Sequence, residues 1–196
     1  SETTGGSLYY NSGSGNCYAE QNNATKACDF TSTGIKDKTR GLISEETYSL
    51  LGWNTSIVYA NEIYEYERSA GEVYSGRPTE WTGKIALAYP SDYGYAADLS
   101  KCGQNLFNYN NNTCTSNNWM KTIIAPNYGW LLTTHSDYAY DAWVVLSSGS
   151  VGGGIYAYYS SGVAPVLYLD SELAVKAGTG SSSAPYQSVS YTHLRA

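Results

Sequence analysis

The amino-acid sequence predicts a single α+β domain, with helices early and a mainly antiparallel, strand-rich C-terminal half. Two observations carry that expectation. The first strong helix signal begins at Gly41-Leu42-Ile43-Ser44, whereas four strand-length apolar segments follow one another after Gly129. Their spacing of about ten residues is the rhythm of antiparallel meander connections rather than of βαβ crossovers. A chain of 196 residues with 42% hydrophobic and 14% aromatic content has enough apolar material to bury one core of ordinary size.

The elements follow in order. Residues 1–15 are rich in Gly, Ser and Thr and read as a flexible linker ahead of a domain spanning 16–187. Ser44 is a good N-cap, Glu45 and Glu46 suit the positive end of a helix dipole, and Ile43, Thr47, Leu50 and Leu51 share one face. Gly52 would close that helix. Asn61 to Arg68 fits helix or strand equally. Lys84 to Tyr89 is a short apolar run closed by Pro90 and reads as a buried strand, and a second short helix is expected near Ala97 to Cys102. The four later strands are placed at Trp130–Thr134, Trp143–Ser147, Val151–Tyr159 around three glycines, and Pro165–Leu169. No repeat of 20–50 residues suggests a solenoid or propeller.

Composition excludes several classes. A net charge of −6 with only 11 Lys and Arg, and no basic cluster, lacks the footprint of a nucleic-acid binder. No run approaches the roughly eighteen apolar residues of a membrane span. The first sixteen residues have neither the basic start nor the apolar stretch of a signal peptide, so the chain reads either as starting inside the cell or as a mature or truncated part of something longer. Cys17 with Cys28, and Cys102 with Cys114, each flank a polar, Asn-rich segment, and two local disulfides are the simplest reading. The competing zinc site lacks CxxC spacing, and the two histidines, His135 and His193, have no partner at ligand spacing. Disulfides imply an extracellular or cell-surface setting.

Several blocks resemble known families. Glu65-Tyr66-Glu67-Arg68, the run Val73 to Lys84 containing Gly76-Arg77-Pro78-Thr79-Glu80-Trp81, and Tyr89-Pro90-Ser91-Asp92-Tyr93-Gly94-Tyr95-Ala96 look like a group of secreted proteins of gut Firmicutes. Members of that group often carry a prepilin-type hydrophobic segment. Trp130-Leu131-Leu132, Gly162 to Leu169 and Gly178 to Tyr186 are similar to the ending of an uncharacterised bacterial extracellular domain related to the C-type-lectin-like and formylglycine-generating-enzyme-like folds. The resemblance covers roughly 40–186 and implies a C-type-lectin-like domain displayed at the cell surface, at a pilus tip or as a minor pilin. Ala164 stands where such domains usually carry an arginine. Residues 189–196 resemble translated sequencing adapter, so 188–196 are read as a non-native tail, and His193 goes with them.

Chemistry finds little purchase. His135 with Asp137 or Asp141 and a nearby serine would make a hydrolase, but no Gly-x-Ser-x-Gly elbow exists. Glu62, Glu65, Glu67 and Glu72 are numerous enough for a glycosidase pair, yet equally suit a solvated segment with one ion pair to Arg68. The triplets of calcium-dependent sugar sites are absent, Asn108 to Asn112 reads as a loop tip, and the copper-binding cysteine pair of the enzyme family is not recognisable. No enzyme activity, cofactor or metal is therefore expected. What remains is the aromatic set Tyr138, Tyr140, Trp143, Tyr156, Tyr158 and Tyr159, with Asp141 among them. Tyrosine beside Ser and Gly is the composition of adaptable binding surfaces. Alternation would put Tyr138 with Tyr140, and Tyr156 with Tyr158, on common faces; the competing reading is that they fill a sheet. The expected function is a surface-displayed binding or adhesion module for a protein or glycan ligand, with pilus subunits as further partners. The alternatives are a structural pilin or envelope component, and a carbohydrate-active hydrolase.

Overall fold

A computed structural model of the chain describes residues 35–190, apart from 55–57, 125–127, 158, 160 and 182. The linker, the Cys17/Cys28 pair, Tyr158 and His193 lie outside the described residues. In chain order the elements are α1 (Asp37–Arg40), β1 (Glu46–Ser49), α2 (Ala60–Glu65) continuing into a π-helical turn (Tyr66–Ala70), β2 (Glu80–Gly83), β3 (Ala86–Leu87) and α3 (Pro90–Tyr95). A 3-10 turn (Leu106–Asn108), α4 (Asn112–Ser116) and α5 (Lys121–Ile124) follow. The rest is β4 (Gly129–Thr134), β5 (Asp141–Val145), β6 (Val151–Tyr156), β7 (Pro165–Val166), β8 (Leu173–Ala177) and β9 (Gln187–Ser190). Helices and antiparallel ladders make an α+β fold: β1 pairs with β2, β3 with β7, β4 with β5 and then β6, and β8 with β9, all antiparallel.

The helix expected from Ser44 to Leu51 is strand β1. Its local signals are overridden by a partner: Thr47 Oγ1 and Thr82 Oγ1 share a hydrogen bond of 2.9 Å, and Tyr48 stacks on Trp81 with ring centroids 5.7 Å apart. Such β-branched and aromatic cross-strand pairs outweigh a weak helix preference. Ser44 is no N-cap; its N–H donates to the Tyr168 carbonyl, and its hydroxyl donates to Glu46. Gly52 is no helix stop either. It exchanges backbone bonds with Glu72 at 2.9 and 3.1 Å and lies so close to the Thr134 carbonyl that a Cβ would collide with it.

The second early helix is displaced. Residues 97–102 form a bridge and turn, while the helix is α3, begun by the proline that was expected only to end a strand. Pro at the first helical turn loses no intrahelical donor, and the Asp92 carboxylate accepts the Tyr89 N–H at 2.9 Å. Asn61 to Arg68 resolves into α2 and its π-helical extension. Strands β4, β5 and β6 form the expected meander, but the fourth segment leaves it, since Pro165–Val166 pairs with β3. Residues 188–190, assigned by sequence to the tail, pair with β8.

The main core joins both halves. Trp53 stacks on Trp143 at 3.8 Å between centroids, with Ile63, Tyr93, Leu106, Val145 and Val151 in the same cluster. Buried tyrosines satisfy their hydroxyls on backbone: Tyr93 donates to the Gly149 carbonyl at 2.8 Å and Tyr109 to Gly94 at 3.2 Å. The Cys102–Cys114 disulfide is formed, with Cα atoms 4.8 Å apart, and both cysteines are buried in this cluster. Among the described residues no helix is long and apolar enough to cross a membrane.

Candidate functional site

One end of the three-stranded sheet gathers the aromatic residues. The connection from β4 to β5 carries Tyr138 and Tyr140, and it meets the end of β6 where Asp141 pairs with Tyr156. Backbone bonds hold this corner: Ala157 N–H donates to the Tyr140 carbonyl and Tyr159 N–H to the Tyr156 carbonyl, both at 2.8 Å. From the loop before β2, Arg77 Nη2 donates to the Ala139 carbonyl at 3.0 Å. The Asp137 carboxylate accepts from Asn54 Nδ2 at 2.9 and 3.1 Å, and His135 Nδ1 accepts the Asp137 N–H at 3.2 Å.

The rings form a continuous track from core to surface. Trp143 lies parallel to His135 at 5.7 Å, His135 is 5.1 Å from Tyr138, Tyr138 5.9 Å from Tyr140, Tyr140 5.4 Å from Tyr156, and Tyr156 5.8 Å from Tyr159. Tyr138, Tyr140 and Tyr159 are about half exposed and Tyr156 somewhat less. Tyr138 and Tyr140 do reach the same surface, though from a connection rather than by alternation along a strand. Trp143 departs from the expectation of a surface ring. It is 2% exposed, because Trp53 covers one of its faces.

Beside the track lies a cleft of about 320 Å³, lined by Asn54, His135, Tyr138, Asp141, Trp143 and the Gly152–Gly154 run, with Phe107 and Ile155 also at its wall. Two polar atoms of the residues around it, Asp141 Oδ1 and Trp143 Nε1, are buried away from the cleft surface without a hydrogen-bond partner among the described residues. Burial raises the Asp141 pKa, an effect the nearby His135 opposes. Tyr140 is also raised, through desolvation by its neighbours and then by the Asp141 charge. At Gly153 an added Cβ would sit 2.6 Å from the Trp143 ring, so only glycine lets β6 lie against the indole. The sequence places these glycines inside the Val151–Tyr159 strand segment. A glycine inside a strand is a sign of close approach, and it was the readable signal for this wall. Asn54 and Phe107 had no such signal.

Two glutamates of the hydrolase reading have defined hydrogen-bond partners. Glu67 is fully buried; its Oε1 accepts the Ser91 N–H at 3.0 Å, and its other oxygen accepts the Ser91 hydroxyl. Arg68 Nη1 stands 3.7 Å from that carboxylate, and its guanidinium lies 3.7 Å from the Tyr89 ring centroid. Burial outweighs these partners and pushes the Glu67 pKa up to about 7. Glu62 instead accepts the Tyr59 N–H at 2.9 Å at the start of α2. A second cleft of about 200 Å³, with Tyr59, Tyr95, Leu99 and Gln104 in its wall, has no glutamate in its lining, and neither has the first. Among the described residues, no group of three or more His, Cys, Asp or Glu side chains is placed to hold a metal ion. No protein-family model, curated protein or solved structure matches the chain, so any reading of its function rests on its own residues.

Proposed function

We propose that the chain is an extracellular, surface-displayed binding or adhesion module of C-type-lectin-like type, whose contact surface is the tyrosine-bearing end of the three-stranded sheet. The observation that carries this reading is the contiguous track of Tyr138, Tyr140, Tyr156 and Tyr159 at the mouth of a cleft. Each phenol offers a broad rigid face with only two torsions to freeze and a hydroxyl for hydrogen bonding, so contact area is gained at low entropic cost. The Cys102–Cys114 bond supports an oxidising compartment. The sequence blocks resembling pilin-associated surface proteins support pilus subunits as neighbours.

The test is adhesion of protein-coated beads to cell and glycoprotein surfaces, comparing the native chain with Tyr138→Ser/Tyr140→Ser/Tyr159→Ser. These rings are half exposed, so the variant should retain its stability to within about 0.5 kcal/mol per site. Adhesion should fall at least about tenfold, the effect of losing roughly 1.4 kcal/mol of contact. Undiminished adhesion by the folded variant would refute the proposal. A native protein that self-associates through these rings and ignores glycans and proteins would favour a structural envelope component.

A further inference from the structure

The surface track differs from the other tyrosine contacts among the described residues in what surrounds its phenols. Tyr93 and Tyr109 are buried, with their hydroxyls donated to backbone carbonyls. Tyr48, 6.1 Å from Tyr168, has its hydroxyl buried without a partner. Tyr64 and Tyr95, 6.5 Å apart, are both exposed, but the Arg68 guanidinium lies 5.1 Å from the Tyr64 ring. Along the track, Tyr156 lies 5.4 Å from Tyr140 and 5.8 Å from Tyr159, all three rings reach solvent, and the Asp141 charge acts on the Tyr140 phenol.

These differences decide which phenols can be oxidised by one electron. A phenol that gives up an electron also gives up its proton, and a buried hydroxyl has no water to take it. A positive charge beside the ring opposes removal of the electron, and a negative charge assists it. Among the described residues no free thiol competes for an oxidant. We infer that Tyr156 is a site of oxidative cross-linking, joined through a dityrosine bond to Tyr140 or Tyr159 by a peroxidase-type one-electron oxidant driven by hydrogen peroxide. Each phenol loses one electron and one proton. The two phenoxyl radicals pair their electrons in a carbon–carbon bond between ring carbons ortho to the hydroxyls, and the hydrogens on those carbons move to the oxygens and restore the phenols. The two electrons and two protons reduce one hydrogen peroxide to two waters. Exposed side chains change rotamer within nanoseconds, so the ring edges can meet without backbone motion. A link to Tyr140 ties the connection between β4 and β5 to the end of β6. The chemistry rests on the extracellular setting proposed above, where the thiol reductants of the cytosol are absent.

The experiment treats the dilute full chain with hydrogen peroxide and a haem peroxidase, then isolates the monomer for dityrosine fluorescence and for mass spectrometry of its proteolytic peptides. The native monomer should gain the fluorescence and yield linked peptides, lighter by two hydrogens, that join Tyr156 to Tyr140 or Tyr159. Tyr156→Phe keeps the ring and removes the hydroxyl, and its monomer should lose most of the fluorescence, whereas Tyr64→Phe should keep it. The peptide map of the native chain decides the matter even where Tyr156→Phe does not fold. Linked peptides that join Tyr64 to Tyr95 in place of Tyr156, or dityrosine confined to dimers, would overturn the inference. So would a monomer without dityrosine in which the exposed Trp119 is oxidised instead. Adhesion is measured on protein never treated with oxidant, so a failed cross-link leaves the adhesion reading standing or falling on its own result.

Discussion

Glu67 should make the stability of this fold fall as pH rises, and Glu67→Gln should remove that dependence. The carboxyl has no exposed surface, and its burial moves the pKa from the ordinary 4.5 to about 7 despite the two Ser91 donors and Arg68. A raised folded-state pKa means that the native protein holds a proton the unfolded chain has already released. Its contribution is therefore fully present below 4.5, is lost progressively as pH climbs to about 7, and is constant above that. A gap of that width corresponds to about 3 kcal/mol, or a Tm difference on the order of 10 °C for a chain of this size. Glutamine keeps a carbonyl acceptor for the Ser91 N–H and does not titrate. Urea unfolding on both sides of the window should show the native chain losing about 3 kcal/mol relative to Glu67→Gln as pH rises. The upward shift of Asp141 is common to both proteins and cancels in the difference. Parallel pH profiles, or a native chain that gains on the variant with rising pH, would refute the reasoning and show that Ser91 and Arg68 keep the carboxylate ionised.

Two further outcomes test the framework that holds the site. Cys102→Ser/Cys114→Ser opens a loop with a sequence separation of 12 and should cost somewhat under about 3 kcal/mol in urea unfolding, matched by adding reductant to the native chain; an unchanged midpoint would contradict a clamping role. Gly52→Ala drives a methyl into the Thr134 carbonyl and should destabilise by at least about 3 kcal/mol, read as lost soluble yield or a lowered melting temperature. A folded Gly52→Ala protein of native stability would mean that β4 is not held against this segment.

Elements with local signatures were legible in the sequence. Trp130–Thr134, Trp143–Ser147 and the Val151 segment show strand-length apolar runs between turn residues, and they fold as the consecutive strands β4, β5 and β6. Cys102 and Cys114 pair within one short loop, as their spacing suggested. Of the candidate site, Tyr138, Tyr140, Tyr156 and Tyr159 do come together, while Trp143 supplies a buried wall rather than an exposed ring. Asn54 reaches the same corner from 83 residues away and had no local mark.

Local pattern and composition were thus enough for an α+β mixture, the meander, the local disulfide and the shortage of charge, but not for where the helices lie. Periodicity, turn chemistry and composition all act over a few residues, and can be read there. Only the tertiary structure decided that the segment after Ser44 is a strand, because its partner Thr82 lies 35 residues downstream of Thr47. It also decided which tyrosines are core, as Tyr93 and Tyr109 are, and which are surface, as Tyr138 and Tyr140 are. The same residue type serves both ends. What separates them is whether another element covers the ring, and that depends on contacts between residues remote in the chain.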